Sequence, residues 1–159
     1  MAHYPVDHHL RQTYRLLAGA AGLYLLIVGA IGLARTWGDP FFHRGSDWAL
    51  GLRVNPAAAW LILLAGLLAL AAAVAGGELN HRINMVLGYG LCGFAMVVMA
   101  FIQTDANVFN VSMVNVIVVT LLGLVLLIAG LYGKVGSNES SGSATPASPQ
   151  GATSRSRQD

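Results

Sequence analysis

The sequence predicts an all-α protein, a transmembrane four-helix bundle followed by a disordered C-terminal tail. Three observations carry that prediction. Four apolar stretches, residues 16–34, 57–75, 85–102 and 113–132, contain no Asp, Glu, Lys, Arg or His. Each is about 18–20 residues long, which at about 1.5 Å rise per residue covers the roughly 30 Å of a bilayer's hydrocarbon core. Hydrophobic residues make up 55% of the chain and charged residues 10%, against roughly 25% charged in a soluble domain. Finally, from residue 136 the chain turns to Ser, Gly, Ala, Pro and Thr with no large apolar side chain. Such a tail cannot bury enough surface to offset its ordering entropy.

Backbone groups in hydrocarbon must be satisfied within the segment, so spans of this kind are helices. A transmembrane barrel would need alternating apolar and polar residues in segments of about ten. Runs such as residues 61–75 do not alternate.

Three regions follow: a polar head at 1–15, a transmembrane domain at 16–135 and a tail at 136–159. The head carries His3, Asp7, His8, His9, Arg11 and Arg15. The apolar core after it exceeds the roughly 7–15 residues of a signal peptide, so the first span is expected to be retained. The loop at 35–56 is the longest connection. Within it Asp39-Pro40 predicts a short helix ended by Gly45, and Asn55-Pro56 repeats the start signal at the second span. The loops at 76–84 and 103–112 are short, which makes spans two and three antiparallel neighbours.

Lys and Arg set the orientation. Arg11, Arg15, Arg82, Lys134, Arg155 and Arg157 fall on one side of the membrane, and Arg35, Arg44 and Arg53 on the other. The excess predicts a multi-pass protein with both termini in the cytoplasm. Trp37, Trp48 and Trp60 lie in or beside the first loop and read as interfacial anchors.

Gly88-Tyr89-Gly90-Leu91-Cys92-Gly93 matches the glycine pattern of dinucleotide sites. That pattern works only between a strand and a helix N-terminus that receives pyrophosphate. Inside an apolar span it predicts close helix packing instead, through Gly88 and Gly93, as do Ala18-x-x-x-Gly22 and Ala129-x-x-x-Gly133. Cys92, the single cysteine, reads as a packing residue and leaves no disulfide framework. Asn115 and Thr120 are expected to hydrogen-bond between helices.

No catalytic, cofactor-binding or metal site emerges. His8, His9 and His81 on one side, and Asp39, His43 and Asp47 on the other, are the only groupings that invite a metal or cofactor. Zinc needs three or four converging ligands. The head is flexible, and Gly45 breaks the four-residue spacing of the second group. Ion-coupled transport generally requires an ionisable group within the membrane, and the spans hold none. A net charge of +2 points to no nucleic-acid partner.

The segments Ala2-His3-Tyr4-Pro5-Val6-Asp7-His8-His9-Leu10-Arg11, Gly38-Asp39-Pro40-Phe41-Phe42, Trp48-Ala49-Leu50-Gly51-Leu52-Arg53-Val54-Asn55-Pro56, Gln103-Thr104-Asp105-Ala106-Asn107-Val108 and Ala129-Gly130-Leu131-Tyr132-Gly133-Lys134 resemble an actinobacterial family of small four-span membrane proteins catalogued as a domain of unknown function. The resemblance covers residues 3–135. It implies a four-helix protein of the plasma membrane, and it brings no activity or site residues.

The functional expectation is a structural, accessory or interaction protein without catalysis, in contact with the lipid bilayer and with a membrane-protein partner or a second copy. The alternatives are a small carrier or channel for a neutral or lipid-like solute, and a binder of metal or cofactor through the loop histidines. The interaction loop is expected to act through Asp39, Phe41, Phe42, His43, Trp48 and Arg53, on a scaffold packed through Gly22, Gly88, Gly93 and Gly133.

Overall fold

A computed structural model describes residues 10–133. Most of the head, including His3, Asp7, His8 and His9, and the expected disordered tail lie outside the described residues. Four helices fill the rest: α1 (Arg11–Arg35), α2 (Pro56–Ala75), α3 (Gly77–Phe101) and α4 (Met113–Tyr132). All four are long and apolar enough to cross a membrane, and the protein is a transmembrane four-helix bundle. A two-stranded antiparallel hairpin, β1 (Trp48–Ala49) and β2 (Leu52–Arg53), lies between α1 and α2. The chain therefore has a loop end, with residues 36–55 and 102–112, and a hinge end, where α2 turns into α3.

Two helices begin earlier than the apolar stretches they contain. Helix α1 starts at Arg11, because the five residues before the apolar run include no helix breaker. Helix α3 starts at Gly77, so almost all of the expected loop at 76–84 is helical. Polarity there marks the edge of the membrane, not the end of the helix. Glu78 sits in the first turn, where the helix dipole favours it, and accepts from Arg82 at 2.9 Å one turn later. Gly76 alone separates α2 from α3, at φ 69° and ψ −161°, a conformation that only glycine adopts readily.

The bundle consists of two tight antiparallel pairs, α1 with α2 and α3 with α4, joined more loosely along α1–α4 and α2–α3. Glycine makes the tight seams. A Cβ on Gly22 would fall 2.7 Å from the Leu70 backbone nitrogen, and one on Gly88 would fall 2.6 Å from that of Leu127. Gly29 and Gly66 extend the first seam; Gly123 and Gly130 extend the second. The two follow one pattern. Gly22 and Gly29 face Leu70 and Leu63, four residues after and three before Gly66, while Gly123 and Gly130 face Cys92 and Met85, four after and three before Gly88. Small residues let backbones touch, and in lipid that packing replaces the hydrophobic drive between helices.

Gly93 does not join a seam: nothing lies within 4 Å of where its Cβ would be, so the expected packing role fails there. Gly88 and Gly93 are five residues apart, about 500° around the helix, which turns Gly93 away from α4. Gly133 is the C-cap of α4, and a Cβ there would meet nothing across the bundle nearer than Asn80 Nδ2, at 3.4 Å. Cys92 Sγ lies against Gly123, in keeping with a packing residue. Thr120 donates to Val116 O within its own helix at 2.7 Å rather than between helices.

Candidate functional site

The loop end is a single folded cap. Asn55 opens α2 as read from the sequence: its side chain accepts from Ala58 N at 2.8 Å, and Pro56 occupies the first turn. Its amide also donates to Val108 O at 2.9 Å, tying the start of α2 to the connection between α3 and α4. The helix expected from Asp39-Pro40 does not form. Residues 37–42 make turns, including His43 N to Pro40 O at 2.8 Å, and the chain then enters the hairpin. A helix of six residues between Gly38, at φ 92°, and Gly45 has too few hydrogen bonds to offset its nucleation.

The hairpin turns through Leu50 and Gly51, at φ 45° and 88°. Positive φ at both central positions is the turn that matches strand twist, although Asn or Gly is the usual first residue. Tyr24 on α1 donates to Leu50 O at 3.1 Å and Arg35 to Trp48 O at 2.9 Å, fastening β1 and the turn of the hairpin to the first helix.

Gly45 O is the centre of the cap. It accepts from Arg53 Nε at 3.2 Å, Arg53 Nη2 at 3.0 Å and Asn110 Nδ2 at 2.7 Å. Asn115, buried on α4, pairs with the backbone of Arg53, accepting from its N–H at 2.9 Å and donating to its carbonyl at 2.7 Å. Arg44 reaches Asp105 Oδ1 at 3.1 Å and also donates to Asp105 O. These contacts lock residues 41–55 to residues 105–115. Within the latter, Asn107 folds the chain by accepting from Val111 N at 2.9 Å and donating to Val111 O at 2.8 Å.

The predicted loop residues divide accordingly. Arg53 is a half-buried strut of the cap. Phe42 stacks edge-on against Phe41 at 5.0 Å and Phe109 at 6.5 Å, and Phe109 against Phe94 at 5.5 Å, so the aromatic cluster continues down into α3. Asp39, Phe41, Phe42, His43 and Trp48 are exposed, together with Trp37 and Leu50. His43 and Asp47 flank Gly45, whose Cβ would lie 3.1 Å from His43 Nε2 and 2.7 Å from Asp47 Oδ2. Among the described residues no three His, Cys, Asp or Glu side chains converge on a metal-sized space. His81 is engaged elsewhere: its Nδ1 donates to Gly130 O on α4 at 2.6 Å.

Sequence reasoning assigns no bonding role to Arg44, Asn107 or Asn110 and no second contact to Asn55. The available signal was the density of asparagine at 107, 110 and 115, since a side-chain amide can replace both partners of a backbone pair. Asn110 itself sits at φ 53°, a region that asparagine tolerates better than most residues.

No protein-family model, curated protein or solved structure matches this chain.

Proposed function

We propose that the protein is an accessory or structural component of a bacterial plasma membrane, without catalysis of its own, which presents its loop end to another membrane protein or to a second copy. The family resemblance supplies the actinobacterial setting of this reading, and the Lys and Arg balance supports termini in the cytoplasm and a cap outside. The supporting observation is that the cap is a built surface. Spanning a membrane requires only short turns, yet here about twenty residues are ordered by side-chain bonds from α1, α4 and the connection between α3 and α4, against an entropy cost of roughly 1–2 kcal/mol per residue. That fixed surface displays Trp37, Phe41, Phe42, Trp48 and Leu50, the aromatic and aliphatic types that anchor interfaces.

The test is in-cell photocrosslinking from Trp37, Phe42 and Leu50, with Val86 on the exposed side of α3 as control. The reading expects one or two discrete protein adducts from the cap and none from Val86. Lipid adducts alone at all four positions would defeat it. A membrane-impermeant thiol reagent on Trp37→Cys in intact cells, in a Cys92→Ser background, tests the orientation separately.

A further inference from the structure

The two tight helix pairs do not close on each other everywhere. In the loop half of the bundle, α2 and α3 leave a cavity of about 270 Å³ between them. Leu61, Ala65, Leu87, Leu91 and Phe94 form its sides, and the fully buried Leu25 contributes from behind. Asn115 is its only polar side chain, and both ends of that amide are already committed to the backbone of Arg53. The wall at the cap therefore offers a ligand little beyond hydrocarbon, because the Asn115 oxygen already accepts from Arg53 N and Ser112 Oγ and its nitrogen donates to Arg53 O. Leu61 and Leu64 are exposed at the mouth, so the cavity opens through the side of the bundle.

Its size and chemistry restrict the occupant. Water needs two to four polar partners, and an apolar cavity of about 150 Å³ stays dry and takes up benzene. A helix from a partner is about 10–12 Å across with its side chains and cannot enter. The space here is larger than that benzene-binding cavity and accommodates a short stretch of hydrocarbon chain. The medium outside the mouth of a span is hydrocarbon, and protein interiors do not keep voids of this size without cause.

We propose that this cavity binds the end of one acyl chain of a membrane lipid, inserted sideways between α2 and α3 beneath the Asn115–Arg53 contact. The chain joins the two helix pairs where protein packing is thinnest, while the headgroup stays outside the bundle. The inference is independent of the docking role of the cap.

The experiment reconstitutes the full chain in phosphatidylglycerol vesicles containing a small fraction of phosphatidylglycerol with a diazirine near the end of one acyl chain. After irradiation, adducts are mapped by peptide mass spectrometry. Labelling of Leu87, Leu91 and Phe94 several-fold above that of the exposed Val86 and Val97 is the expected result. Ala65→Phe, which fills the cavity, should abolish that excess and leave the labelling of Val86 and Val97 unchanged. Labelling that simply follows exposure overturns the proposal in the wild-type protein alone, whatever the variant does. So does crosslinking of Leu61→Cys to its counterpart in a second copy at the expense of lipid labelling.

Discussion

The side-chain amide of Asn115 closes two hydrogen bonds on the backbone of Arg53, 2.9 Å from its nitrogen and 2.7 Å from its carbonyl oxygen. An α4 side chain here acts as a third strand beside β2. Replacing Asn115 with Leu leaves both backbone groups without protein partners, at about 1–3 kcal/mol for each buried group that water cannot reach. Asn115→Leu is expected to lower the thermal unfolding midpoint in detergent while leaving helical circular dichroism at low temperature unchanged. Asn115→Asp keeps an acceptor for Arg53 N but loses the donor to Arg53 O, and should fall between the two. A midpoint equal to wild type for Asn115→Leu would show that the cap does not depend on this pair.

The glycine seams give a positional contrast. Gly66 and Gly88 sit against the backbone of Leu26 and Leu127, where a side chain has no flexible neighbour to displace. Overpacking of this kind commonly costs about 1–3 kcal/mol. Gly66→Val and Gly88→Val should therefore each destabilise the bundle markedly. Gly93→Val, only five residues from Gly88, meets open space and should leave the unfolding midpoint unchanged. Equal effects at 88 and 93 would contradict the seam.

The contrast also marks what could be read from the chain. Span number and fold class were legible because lipid leaves a helix no alternative to satisfying its own backbone. Gly22 and Gly88 were legible as packing residues through their spacing from other small residues. Gly93 was not, because a glycine string shows no direction until a neighbouring helix defines which side of it is inside. The start of α3 was not legible, because the charges at 78–82 lie within the helix and only Gly76 interrupts it. The cap was legible in its ingredients and not in its wiring. Asp39-Pro40 and Asn55-Pro56 are the same local signal, and only the second has a long apolar run to propagate the helix it starts. The bonds from Asn110 to Gly45 and from Asn115 to Arg53 cross more than sixty residues. No local pattern encodes such pairings.

At the hinge end, Arg15 acts as the cap of another helix. Its guanidinium donates to Ala73 O and, at 2.7 Å, to Val74 O, placing positive charge on the unsatisfied carbonyls at the C-terminus of α2. Lysine offers a point charge without the planar fork. Arg15→Lys should lose part of the stability and Arg15→Leu more, about 1–3 kcal/mol, the scale of a hydrogen bond to a charged group. Gly76→Ala should cost a similar amount, because it forces a side chain into a glycine-only conformation and sets its Cβ 3.1 Å from Arg15 Nη1. Since both substitutions disturb one contact, the double variant should lose less than the sum of the singles in thermal unfolding. Full additivity would separate the Arg15 contact from the turn.

Leu50 breaks a local rule at an exposed turn of the cap. It occupies φ 45° in a two-residue hairpin turn where Asn or Gly is favoured, and its side chain is 55% exposed, so burial does not compensate. A left-handed residue with a Cβ costs roughly 1–2 kcal/mol. Strain of this kind concentrates where function holds a side chain in place. Leu50→Asn should therefore raise the unfolding midpoint, since it relieves the turn and keeps the carbonyl that accepts from Tyr24. The same substitution should weaken the protein adducts captured from Trp37 and Phe42, because it removes the aliphatic tip of the surface they share. The two readouts move in opposite directions only if Leu50 is retained for contact. A stabilised variant with undiminished adducts would make the leucine dispensable to docking, and a destabilised one would mean that the turn favours leucine for packing against the hairpin.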